Sequence, residues 1–166
     1  MEIKLKEVQD MIASVGQCMT VRGLDIDHDN KWAYCLSKNF RILNEEYVKI
    51  MKKTNEVPDE CKEYVSEYSK MISGFANANP DTNGLKNISP QLKADIDMSI
   101  KELNTKYEDQ VAKLNNHNEY INKVYLEEVV DIEFHKIAKN LVPVLTPQQY
   151  LSIEFLIDET RKALLA

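Results

Sequence analysis

The feature that most constrains this chain is a run of apolar residues at Ala33, Leu36, Phe40, Leu43, Tyr47 and Ile50. Their spacing alternates three and four, which places all six on one face of a single helix. A strand would need period two, so the stretch cannot sit in a sheet with one side dry. The spacing is that of helices crossing at a shallow angle. The pattern predicts a helix from Asp29 or Asn30 to about Thr54, a rod of roughly 38 Å.

Other segments repeat the rule. Leu5, Val8, Ile12, Val15 and Met19 predict a first helix ending near Val21, with Gly23 as its stop. Cys61, Tyr64, Tyr68, Met71 and Phe75 predict a helix starting after Pro58. Ser89-Pro90 and Thr146-Pro147 each read as an N-cap followed by the first helical residue. The helix from Pro90 carries Ile96, Ile100, Leu103, Tyr107, Val111 and Leu114. It is expected to run about 25 residues, to pair along the previous long helix, and to break at Asn115–Asn118. A short helix is expected to carry Tyr120, Ile121, Val124 and Tyr125. The last helix carries Tyr150, Ile153, Leu156, Ile157 and Leu164. Residues 76–89 are turn chemistry throughout.

Two segments break the helical period. Ile3 and Leu5 alternate with polar residues, and Val130, Ile132 and Phe134 alternate with Asp131, Glu133 and His135. A lone strand leaves its backbone unpaired. Residues 2–5 are therefore expected to pair with residues 129–136. The expected fold class is mainly α with a small β part (α+β). It is an elongated bundle of five or six helices in one domain spanning residues 1–166, with a two-stranded element near one end.

Composition narrows the function. The chain has 166 residues, 21 Lys and Arg against 27 Asp and Glu, and a net charge of −6. Neither half is basic, so nucleic acid is not an expected partner. No stretch approaches the apolar length of a membrane span, and residues 1–6 have no apolar run of the signal-peptide kind. The location expected is the cytoplasm. Cys18, Cys35 and Cys61 are odd in number and widely spaced, which fits neither a disulfide framework nor a zinc pattern. Cys18 and Cys35, inside amphipathic segments, read as buried thiols in a reducing compartment.

Few residues offer chemistry. Asp25-Ile-Asp-His-Asp-Asn begins like a calcium loop, but Asn30 stands where Gly makes the turn and Leu36 where Glu closes the site. A polar loop in which Asp27 or Asp29 caps the long helix explains it better. The four glycines, at 16, 23, 74 and 84, are too scattered for a phosphate-cradling loop. No catalytic constellation, metal set or cofactor is implied. Aromatic residues are the remaining resource, with eight Tyr, four Phe and Trp32. Trp32, Tyr34, Tyr64, Tyr68, Tyr120 and Tyr125 are the candidate protein-interface residues, because exposed aromatics are rigid amphipathic anchors.

The order of elements resembles small helical proteins of tailed bacteriophages and prophages of low-GC hosts. The resemblance is carried by Asn39-Phe-Arg, Asn44-Glu-Glu-Tyr-Val, Asn118-Glu-Tyr, Leu126-Glu-Glu-Val-Val-Asp-Ile-Glu-Phe and Leu145-Thr-Pro. Fourteen Asn fit a low-GC genome. It implies a phage product tied to virion assembly or host interaction, acting in the host cytoplasm, with no catalytic positions to carry over. The expected function is protein–protein binding without enzyme activity, as an assembly accessory or an inhibitor of a host system. The alternative is a small-ligand or signalling-nucleotide sequestering protein. A self-associated form is compatible with either.

Overall fold

A computed structural model describes residues 1–158. It is mainly helical, with six α-helices among the described residues. The chain order is β1 (Glu2–Lys4), α1 (Val8–Cys18), α2 (Ile26–Thr54), α3 (Lys62–Ala78), α4 (Pro90–Lys106), α5 (Glu108–Lys123), β2 (Val129–Asp131), β3 (Ile137–Ala138), α6 (Pro147–Ile153) and β4 (Ile157–Asp158). Single turns of 3₁₀-helix connect several of them.

The residues gather into two compact units. The first is Met1–Thr54 together with residues 123–158; the second is Asn55–Asn122. The division follows the apolar faces. The inward stripe of α2 is covered by segments from both ends of the chain, which leaves α3, α4 and α5 to bury their own seam.

In the first unit, Trp32, Leu36 and Leu43 of α2 are fully buried, together with Val8, Val15 and Cys18 of α1 and Ile153 and Leu156 near the end. The alternation of three and four in α2 was the right signal for this core. The helix begins at Ile26, earlier than expected. Its first turn is closed by Asp25, whose carboxylate accepts from the backbone N–H of His28 at 3.0 Å. Asp29 instead accepts from the N–H groups of Gly23 and Leu24, both at 3.3 Å. The capping role assigned to Asp27 or Asp29 belongs to Asp25.

β1 and β2 pair antiparallel, with Ile3 opposite Val130 and Glu2 opposite Asp131. The ladder extends by one bond at each end, from Leu5 N–H to Glu128 and from Ile132 N–H to Met1. Beyond residue 132 the expected strand continues as extended chain without a strand partner. Ile132 and Phe134 still alternate inward and are buried. A second sheet, parallel, pairs Ile137 with Ile157 and Ala138 with Asp158.

The second unit is built on an antiparallel helix pair. Glu60 meets Lys113, Tyr64 meets Asn104 and Glu67 meets Lys106. Ser89 caps α4 by accepting from Leu92 N–H at 3.2 Å. The helix from Pro90 does not run 25 residues. It breaks at Tyr107, whose backbone (φ −118°, ψ 34°) leaves the helical region. The side chain explains the place of the break: Tyr107 is buried, and its hydroxyl donates to Glu63 at 3.1 Å. Asn115–Asn118 lie inside α5. Asn is only a modestly poor helix former, so four turns of neighbours carry it.

Two further expectations change. Tyr120 and Ile121 belong to α5, while Tyr125 lies in a 3₁₀ turn. Thr146 caps α6 as expected, in a capping box with Gln149. That helix stops at Ile153, however, and Ile157 is in β4. Leu164 lies outside the described residues.

Candidate protein interface

The six aromatic candidates are divided between the two units, Trp32, Tyr34 and Tyr125 in the first and Tyr64, Tyr68 and Tyr120 in the second. Trp32 is the clearest correction. It lies on the inward stripe of α2, is fully buried, and its indole N–H donates to the Cys18 carbonyl at 3.3 Å. It is a core residue and cannot anchor a partner in this fold. Tyr125 packs half-buried against the same core.

Tyr64 and Tyr68 sit together in the second unit, ring centroids 6.1 Å apart, with Tyr107 at 6.1 Å from Tyr64 on the other side. The Tyr64 hydroxyl donates to Asn104 at 2.9 Å. Burial, with a smaller contribution from Tyr68, pushes the Tyr64 phenol above its ordinary value. These rings tie α3 to α4 and α5, half-buried, so they are structural before they are adhesive. Tyr120, on α5, is exposed at 45%.

Tyr34 differs from all of these. It is two positions from Trp32, which turns it about 200° around the helix and out of the core. It is 64% exposed, and the Lys38 ammonium stands 5.2 Å from its ring centroid. Such a contact holds the ring at modest energy. Seven and fourteen residues further on, Arg41 and Val48 occupy nearly the same face, and both are exposed. Among the described residues Arg41 has one ion-pair contact, a long 3.8 Å approach to Glu45, one turn away. The outward face of α2 therefore presents Tyr, Arg and Val at two-turn intervals on a helix whose opposite face is locked into the core. Sequence reasoning named Tyr34 but missed Arg41 and Val48. Their signal was available as a seven-residue repeat opposite the core stripe.

Other chemistry is sparse. Cys18, Cys35 and Cys61 are free and buried, as expected of Cys18 and Cys35 from their amphipathic segments. Burial raises the Cys35 thiol to about 11, partly offset by a hydrogen bond from Asn39. Among the described residues no group of three or more His, Cys, Asp or Glu side chains is placed to hold a metal ion. The Asp25–Asp29 loop serves the start of α2 instead. No helix among the described residues is long and apolar enough to cross a membrane. Comparison with protein-family models, curated proteins and solved structures gives no match.

Proposed function

We propose that this is a phage-type protein that works by binding another protein, and that the outward face of α2 is the surface it uses. The observation that carries this is the alignment of Tyr34, Arg41 and Val48 on the exposed side of a 29-residue helix. Tyr and Arg are the residue types most enriched among binding hot spots after Trp. A core-anchored helix holds them with little conformational entropy left to lose on docking. The role is that of an assembly accessory or an inhibitor of a host system, in the host cytoplasm, without catalysis of its own.

Affinity capture from infected low-GC host cells, with the wild-type chain beside a Tyr34→Ala, Arg41→Ala, Val48→Ala variant, tests the reading. A protein retained by the wild type and lost by the folded variant supports it. Equal retention by both chains removes α2 as the surface, and no retained protein in either removes the reading.

A further inference from the structure

A different face carries a second inference, independent of the partner proposed above. In the second unit α3 has an apolar stripe along its length, yet none of its 17 residues is fully buried. Its partner α4 buries only Ile96. Between the two helices runs a groove of about 540 Å³ with Met71 and Leu103 in its floor, both half-buried. Ser99, also lining it, is small enough to let another helix approach.

The rim is what selects an occupant. The unit as a whole is acidic, with seven Lys against twelve Asp and Glu. The groove instead carries Glu67 and Glu102 against Lys70 and Lys106. Glu67 and Lys106 are already paired with each other at 2.9 Å. Lys70 and Glu102 form no ion pair among the described residues, and both are exposed on opposite helices. Lys70 acts on Glu67 only at longer range, so a cation and an anion without a close ion pair flank a single apolar floor, a self-complementary pattern. A two-fold axis through the groove brings each charge onto its opposite in a second copy, because an isologous interface pairs i with j and j with i. A foreign partner of one net sign would leave one of the two repelled.

We propose that the α3–α4 groove is the seam of a homodimer, with Lys70 of one protomer facing Glu102 of the partner subunit. Helices of this length are about 25 Å long, and two side by side are about 20 Å wide. The face is then about 500 Å² per copy, or about 1,000 Å² in total, at the lower limit of a specific interface. An interface of this size suits a reversible dimer, populated as concentration rises.

Sedimentation velocity of the full chain, from low-micromolar to near-millimolar concentration, gives a mass that rises from monomer to dimer. Because the axis repeats each substitution, Lys70→Glu or Glu102→Lys alone sets two like-charge contacts and weakens the dimer at least about tenfold. The combined Lys70→Glu, Glu102→Lys variant restores it to within a few-fold of wild type. Both positions are exposed, and far-UV circular dichroism checks that each variant is folded. A monomer at every concentration overturns the proposal. So does a dimer indifferent to both single reversals, or one that the combined variant fails to restore.

Discussion

The side-chain amide of Asn39 is bonded at both ends to the backbone of His135. Its Nδ2 donates to the His135 carbonyl at 2.8 Å, and its Oδ1 accepts from the His135 N–H at 2.8 Å. Nδ2 also reaches the Cys35 carbonyl at 3.0 Å, and Asn39 is fully buried. One helix side chain thus takes the place of a neighbouring strand for the extended chain after β2. Replacing Asn39 with Leu strands two part-buried backbone groups, each costing about 1–3 kcal/mol. The expected loss is about 2–4 kcal/mol, or roughly 5–12 °C in melting temperature for a chain of this size. Urea titration and thermal melts measure it. Asn39→Asp keeps the acceptor but turns a carboxylate toward the His135 carbonyl, so that variant regains stability as acid protonates it. A loss under about 0.5 kcal/mol for Asn39→Leu would sink the assignment.

Glu127 lies between two cations. Lys4 Nζ is at 2.7 Å and Lys6 Nζ at 2.5 Å, joining the turn before β2 to the residues around β1. The hydrogen bonds from Lys4 and then Lys6 hold its carboxyl down at about 2, against an ordinary 4.5. The unfolded chain therefore binds more protons than the folded one between these values. The contribution is whole above about pH 5 and is lost as pH falls toward 2. Glu127→Gln flattens this acid limb by lowering stability in the neutral region, and leaves the strongly acid region little changed. The group is exposed, so added salt shrinks the effect. Denaturation series from neutral to strongly acid pH, at low and high salt, read both.

The elements that sequence made legible are those whose cause is local. The α2 stripe depends on spacing alone, and Ser89-Pro90 and Thr146-Pro147 start helices by chemistry confined to four residues. The pairing of residues 2–4 with 129–131 was also readable, since two period-two segments had no other partners. What escaped depends on contacts distant in sequence. The break at Tyr107 answers to Glu63 and Tyr64, more than 40 residues earlier. Strand length after Val129 is set by Asn39. The interface candidates show the same limit: Trp32 and Tyr34 are chemically similar, and only the helix phase separates core from surface. That phase was contained in the stripe, because Trp32 precedes Ala33 and Leu36 on its inward side.

Two glycines should respond oppositely to one methyl group. Gly74 lies inside α3, and a Cβ built there meets no atom within 4 Å. Gly74→Ala therefore gains helix propensity with no clash, and stability rises by about 0.5–1 kcal/mol. Gly84 also has open space around it, but its φ is +66°. It sits between Asn83 at φ 49° and Leu85 at φ 66°, so the loop turns left-handed for three residues. Gly84→Ala places a Cβ against its own backbone and lowers stability by about 1 kcal/mol. Chemical denaturation of both variants beside the wild type gives the signs. A gain at Gly84 would mean that the loop does not hold this conformation in solution.

The three thiols report opening from inside each unit. Cys18 and Cys35 belong to the first unit and Cys61 to the second, and all three are buried. Cys61 lies under α5, its Sγ 3.4 Å from the Gln110 carbonyl. The Cys35 Sγ donates to the His135 carbonyl at 3.2 Å, beside the Asn39 amide. With its pKa at about 11, Cys35 holds almost no thiolate at neutral pH, and thiolate is the reacting form. A disulfide reagent should therefore modify none of the three quickly in the native protein and all three in denaturant. Slow native labelling then measures how often each unit opens. In the Asn39→Leu variant, Cys35 should become the fastest to react, because the clamp that closes over it is gone, while Cys61 keeps its rate. Peptide mapping of the labelled cysteines against time separates the three, and equal acceleration at Cys61 would argue against a clamp confined to the first unit.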